Sequence, residues 1–141
     1  MELELLQVLP SQEPFIANNS ASLQTAEENP LVARPYGIYA GRKPVGFVML
    51  AIDEQNEDPD DKYWIWRFMI DKGEQGKGYA SAALREILVL FRRMDADPIT
   101  LSTKPENTVA LRLYHRFGFL ENGQQNGDEI VLKLRFSQQQ I

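Results

Sequence analysis

The run Asp71-Lys72-Gly73-Glu74-Gln75-Gly76-Lys77-Gly78-Tyr79-Ala80 joins Tyr63 to Ile70, apolar at almost every position, to Tyr79 to Met94, whose apolar residues recur at helical spacing. A buried strand that passes through a glycine-rich turn straight into a helix N-terminus is an arrangement suited to an anion. Gly76 and Gly78 carry no side chains, so successive backbone N–H groups can turn toward one ligand. The first helical turn adds unpaired donors and the positive end of the macrodipole. Phosphate is the expected ligand, held by the main chain. Lys72 and Lys77 add charge at the rim, about 0.3–1 kcal/mol each when solvent-exposed, and rank below the backbone amides.

Three other readings compete for a lone glycine turn. A Walker A loop needs Ser or Thr after its Gly-Lys pair to hold magnesium, whereas Lys77-Gly78 is followed by Tyr79. A dinucleotide-binding fingerprint needs three glycines at set spacing and an acidic residue about 20 positions on, and neither is met convincingly. The third is a plain connection between strand and helix, and the rest of the chain has to decide against it.

Working outward, the helix after the turn places Ala80, Ala83, Leu84, Ile87, Leu88, Phe91 and Met94 on one face, with Arg85, Glu86, Arg92 and Arg93 mostly elsewhere. The strand before it, with both faces apolar, belongs in the middle of a sheet covered by helices. Upstream, Tyr36 to Ala40 and Pro44 to Ile52 read as a hairpin across Gly41-Arg42-Lys43. Asp53 to Asp61 is acidic with Pro59 and almost nothing apolar, a solvated loop tip. Glu2 to Leu9 reads as an opening strand, and Pro14 to Glu28 as one or two short helices ending near Asn29-Pro30. Downstream come a short strand, Pro98 to Thr103, and a helix, Pro105 to Phe117, with Val109, Ala110, Leu113 and Tyr114 toward the core. Phe119 to Leu120 and Glu129 to Phe136 read as closing strands around Asn122-Gly123, and the Gln138-Gln139-Gln140 tail as frayed.

Composition narrows the functions open to this chain. Its 141 residues, 43% hydrophobic, suit one domain spanning 1–141. Without cysteine there is no disulfide, thiolate metal site or cysteine nucleophile, and a single histidine, His115, makes zinc chemistry a poor fit. A net charge of -5 argues against nucleic acid as the main partner and sits more easily with a cationic small molecule. No stretch approaches the ~18–20 apolar residues of a membrane span, and the N-terminus is acidic where a signal peptide would be basic. A soluble, cytoplasmic protein without a membrane partner is expected.

Two motifs give this organisation a family. Gln75-Gly76-Lys77-Gly78-Tyr79-Ala80 matches in full the pyrophosphate loop Gln/Arg-x-x-Gly-x-Gly/Ala of the GNAT superfamily of N-acetyltransferases. Asn107-Thr108-Val109-Ala110-Leu111-Arg112-Leu113-Tyr114-His115-Arg116-Phe117-Gly118-Phe119 resembles the superfamily's Asn-x-x-Ala-x-x-Leu-Tyr-x-x-x-Gly-Phe at the expected distance downstream. The resemblance covers essentially the whole chain. It implies an α/β (mixed α+β) fold in the order β-α-(α)-β-β-β-α-β-α-β-β, with a mixed, mostly antiparallel sheet of six to seven strands that splays open for the cofactor.

Within the superfamily the chain is most similar to bacterial spermine/spermidine N-acetyltransferases of the BltD type. The shared residues are Pro44-Val45-Gly46-Phe47, Trp64, Arg67-Phe68-Met69-Ile70-Asp71, Arg112 to Phe119, Asn122-Gly123 and Asn126-Gly127. Family members often have an acidic residue before that Arg and a Glu after an aromatic-Ile pair, where this chain has Trp66 and Ala17.

The resemblance implies acetyl-CoA as cofactor, a polyamine such as spermine or spermidine as acceptor, and a homodimer. Direct attack of the amine on the thioester is implied, with Tyr114 protonating the departing thiolate. A phenol of pKa near ~10 stays protonated at pH 7 and donates to a thiolate of pKa ~8.5 only slightly uphill. On spacing alone Tyr114 reads rather as a core aromatic with its hydroxyl satisfied, and the motif reverses that reading. Main-chain groups of Phe68, Met69 and Ile70 are the implied strand contacts to the cofactor, with one amide serving as oxyanion donor. Gln75, Gly76, Lys77, Gly78, Tyr79 and Ala80 hold the pyrophosphate. Asn107 either caps its helix or bonds the pantetheine amides.

An amine of pKa near ~10.4 is neutral in about one molecule in 2,500 at pH 7, a handicap of roughly 4.6 kcal/mol, so a base is needed. Glu28, with Glu27 behind it, is the candidate base. Trp64 and Trp66 either wall the acceptor pocket or belong to the core. Two alternatives remain beside polyamine acetylation: a non-catalytic acyl-CoA sensor, and transfer to a peptide, lysine or aminoglycoside amine.

Overall fold

Lys43–Ile52 and Tyr63–Ile70 are dense in β-branched and aromatic residues and form the second and third strands of one sheet. The computed structural model describes residues 32–136. Within them the elements run β1 (Ala33–Ala40), β2 (Lys43–Ile52), β3 (Tyr63–Ile70), α1 (Tyr79–Arg93), β4 (Ile99–Thr103), α2 (Thr108–Arg116), β5 (Leu120–Asn126) and β6 (Glu129–Leu134). Short 3-10 turns occupy Pro59–Asp61 and Lys72–Glu74. The expected opening strand, the first helices and the tail lie outside the described residues.

The six strands stand in the order β1-β2-β3-β4-β6-β5. All neighbours are antiparallel except β3 and β4, and that parallel step needs a crossover, which α1 supplies. The apolar stripe of α1 (Leu84, Ile87, Leu88, Phe91) packs with Ile99 and Leu101 of β4, Leu132 and Leu134 of β6, and Leu113 and Tyr114 of α2. Phe91 is fully covered and meets Tyr63 edge-on at 6.1 Å. Burying such a side chain contributes about 1.5–3 kcal/mol, so this one-sided stripe anchors α1, and with it the glycine turn, to the sheet.

Leu101 pairs with Leu132 on the face toward the helices. Side chains alternate along a strand, so Thr100 and Ser102 of β4, and Glu129, Val131 and Lys133 of β6, belong to the opposite face.

Four expectations need correction. The first hairpin turns on Gly41-Arg42 alone, with β1 starting at Ala33. The last hairpin turns at Gly127-Asp128, and Asn122-Gly123 instead falls within β5, where the register against β6 shifts between Glu121 and Gln125. Val109 is 66% exposed rather than in the core. The second helix starts only at Thr108, which puts Val109 in a first turn that faces a cleft instead of the sheet.

The acidic segment is also not simply a solvated tip. The Asp60 carboxylate pairs with Arg135 at 2.9 Å, and the Asp60 carbonyl accepts from Lys133 Nζ at 2.9 Å. Sequence-distant cations on β6 and just beyond it pin the loop's end.

Candidate active site

The parallel step between β3 and β4 is held by one residue pair, Trp64 with Thr100. On its other side β3 stays paired to β2 as far as Ile70, with Gly46, Phe47 and Val48 opposite Ile70, Met69 and Phe68. The register slips between Met49 and Leu50, which leaves Trp66 as an extra residue of β3, a β-bulge that turns the strand locally. Beyond the bulge the β4-facing edge of Phe68–Ile70 pairs with no strand among the described residues, so its main-chain groups face the gap between the strands.

The glycine turn closes this gap at one end. Gln75 Nε2 donates to the Ile70 carbonyl at 2.9 Å and ties the turn back to the strand end. Gly76 and Gly78 adopt φ of 80° and 84°, and a β-carbon at either would meet nothing within 4 Å. The glycines therefore supply backbone conformation on an open surface. Gly78 is the N-cap of α1 and makes no side-chain cap bond, so the first N–H groups of the helix stay directed outward. Lys77 instead bonds back to Glu74, whose carboxylate also pairs with Lys43.

At the other side of the gap, Asn107 caps α2. Its side chain accepts from Ala110 N at 3.4 Å, a long bond, while the residue is 7% exposed and borders the same space. Both roles foreseen for it are open to it. Tyr114, about two turns further along α2, is buried and meets Phe119 edge-to-face at 5.9 Å. Burial pushes the Tyr114 phenol well above its ordinary value, and the Glu129 charge adds to the shift. It therefore stays protonated across any working pH. Proton donation from it is steeper than the slightly uphill step expected of an ordinary phenol.

These elements enclose one cleft of about 730 Å³. Phe68, Met69, Ile70, Gln75, Gly76, Gly78, Tyr79, Ala80, Asn107 and Tyr114 all line it, while Lys77 does not, because its ion pair draws it aside. Trp66 lines the cleft half-buried at the bulge, and Trp64 does not line it. Glu28 lies outside the described residues. His115 is on the surface, bonded to Glu121 at 2.7 Å.

The residue types present fit a pyrophosphate with an amide-bearing arm. Outward helix-terminal N–H groups lie at one end, an unpaired strand edge runs along one wall, and Arg67 Nε is a buried donor with no partner among the described residues. Sequence reasoning missed Ser102, Arg67 and Glu129 as lining residues. The signal for Glu129 was the turn at Gly127-Asp128, which places Glu129 at the first position of β6. Among the described residues no group of His, Asp or Glu is arranged to hold a metal, and no helix is long and apolar enough to cross a membrane.

Residues 4–119 match the model of the Acetyltransferase (GNAT) family. A probable spermine N(1)-acetyltransferase of Bacillus subtilis subsp. natto is 34% identical over 135 residues, covering 91% of this chain and 87% of that one. A spermine/spermidine N(1)-acetyltransferase of Bacillus subtilis strain 168 is 33% identical with the same coverage. A Bacillus subtilis acetyltransferase solved in complex with CoA superposes with a TM-score of 0.67 at 18% identity, over 92% of this chain and 94% of that one.

Proposed function

The chain belongs to the acetyltransferase (GNAT) family, and from that premise we propose that it transfers the acetyl group of acetyl-CoA to a primary amine of a polyamine such as spermine or spermidine. The observation that carries this reading is the single cleft that joins the glycine turn, the open edge of β3 and the Tyr114 side chain.

The main-chain N–H groups of Gly76, Gly78, Tyr79 and Ala80, with Gln75 bracing the turn, hold the pyrophosphate. Phe68, Met69 and Ile70 bond the pantetheine arm through their open edge and direct an amide at the thioester carbonyl. Acetyl-CoA supplies an acetyl group activated as a thioester. Tyr114 holds its proton until the carbon–sulfur bond breaks, then yields it from the hydroxyl to the departing sulfur. Glu28 is the proposed base. The polyamine assignment is supported by the curated relatives' names and by the acidic balance of the chain.

The reading extends to a cytoplasmic homodimer. β5, exposed along its whole length at the edge of the described sheet, offers the kind of unpaired ladder through which such sheets associate. Light scattering that finds only monomer removes that part.

The test is thiol release from acetyl-CoA against spermine, spermidine, a lysine peptide and an aminoglycoside. Turnover selective for polyamines is expected. Acetyl-CoA binding without transfer to any amine would replace the enzyme with an acyl-CoA sensor, and preference for the peptide or the antibiotic would replace the acceptor.

A further inference from the structure

The cleft is lined by two carboxylates, Glu74 and Glu129. Glu74 is neutralised by Lys43 and Lys77. Glu129 makes no ion pair among the described residues; its partner is a neutral donor, Ser102 Oγ, 2.6 Å from Glu129 Oε1. A hydroxyl orients a carboxylate without cancelling its charge. Among the described residues Glu129 is thus a positioned carboxylate with no ion-pair partner, at the wall of a cleft that Arg67 and Arg116 also line.

Its side of the sheet matters. The glycine turn, α1 and α2 share the face of Leu101 and Leu132, whereas Ser102 and Glu129 belong to the opposite face. Because β3 and β4 are joined at Trp64 and Thr100 only, the cleft passes between them and reaches both faces. A cofactor held by the turn enters from the helical face, which leaves the other mouth to the acceptor. The Glu129 field crosses the gap, since it contributes to holding Tyr114 protonated.

Resting on the polyamine reading, we propose that Glu129, oriented by Ser102, is a specificity-determining residue that binds an ammonium of the acceptor other than the one acetylated. The choice of nitrogen follows from electrostatics. A carboxylate stabilises the protonated form of an amine beside it, which opposes attack by that nitrogen and favours retention of a second, non-reacting one. Glu129 accordingly holds one end of a polyamine at the mouth while another amine reaches the thioester near Tyr114.

The experiment compares wild type, Glu129→Gln and Ser102→Ala with spermidine and with butylamine, which has no second ammonium. Acetyl-CoA affinity by calorimetry serves as the control for folding. Loss of a charge-assisted bond is expected to lower kcat/KM for spermidine by about 10- to 100-fold in Glu129→Gln, mainly through KM. Ser102→Ala is expected to lower it several-fold, acetyl-CoA affinity is expected to stay unchanged in both variants, and butylamine turnover is expected to change far less than that of spermidine, by no more than the altered Glu129 charge shifts the Tyr114 phenol. Unchanged spermidine kinetics in Glu129→Gln, or an equal fall for both amines, overturns the proposal. A wild type that acetylates no polyamine overturns the parent reading, which is visible before any variant is made.

Discussion

Lys77 Nζ donates to Glu74 Oε2 at 3.0 Å, across three residues of the glycine turn, so the lysine inside the loop braces the loop and does not point into the cleft. Anion binding then falls to the main chain. Lys77→Ala is expected to weaken acetyl-CoA binding by less than about 5-fold, as for an exposed ion pair. Gly78 sits at φ 84°, where a residue with a β-carbon pays about 1–2 kcal/mol, so Gly78→Ala is expected to weaken binding by about 10-fold or more. Calorimetric titration with acetyl-CoA distinguishes the two, and a larger loss from the lysine would show that side-chain charge dominates.

The Glu74 carboxyl is held below the usual carboxylate value by its hydrogen bonds with Lys43 and then Lys77. A folded pKa below the unfolded one contributes stability that is complete above the unfolded value of 4.5 and disappears as pH falls through the folded value. The gap in Tm between wild type and Glu74→Gln is therefore expected to be constant from pH 7 down to about 5 and to close below that. A gap that widens on acidification would contradict the pairing.

Tyr114→Phe keeps the ring that packs on Phe119 and removes the hydroxyl alone. It is expected to lower kcat by about 100-fold or more with acetyl-CoA affinity unchanged. Because burial holds the phenol above its ordinary 10, the wild-type rate should show no alkaline decline from this group below about pH 10. Stopped-assay profiles of both proteins check this, and a kcat retained in Tyr114→Phe would move the proton donor elsewhere.

Lys133 is 8% exposed and bonds both the Asp60 carbonyl and Thr100 Oγ1 at 2.9 Å, at the end of the sheet where β3 and β4 are joined. Lys133→Ala removes both bonds, leaves the Asp60 carbonyl to the Thr100 hydroxyl at 3.2 Å, and is expected to cost about 1–3 kcal/mol by urea unfolding. Acetyl-CoA affinity should hardly change, because the cleft opens beyond the other end of the joined strands. A normal stability would mean that the bonds of Thr100 and Arg135 to Asp60 hold the loop without the lysine.

Much of this molecule was legible along the chain. The helical period of Tyr79 to Met94 and the apolar run of Tyr63 to Ile70 correspond to α1 and β3 nearly residue for residue, because each pattern has one geometry that buries it. The last hairpin was less legible. Asn122-Gly123 and Gly127-Asp128 are both good turn sequences, and only the pairing of β5 with β6 decides between them. The ties of Asp60 to Lys133 and Arg135 span 73 and 75 residues, a separation that no local pattern reports.

The sequence by itself determined the family, the glycine turn at a helix N-terminus and the tyrosine of the second motif, since these depend on residue type and spacing within short windows. Only the tertiary structure decided which groups share the cleft. It turned Lys77 toward Glu74, set Glu129 against the neutral Ser102 hydroxyl and raised the Tyr114 phenol. The physical reason is that charge pairing and desolvation depend on distances through space between segments far apart in the chain, and those distances exist only once the sheet has brought the segments together.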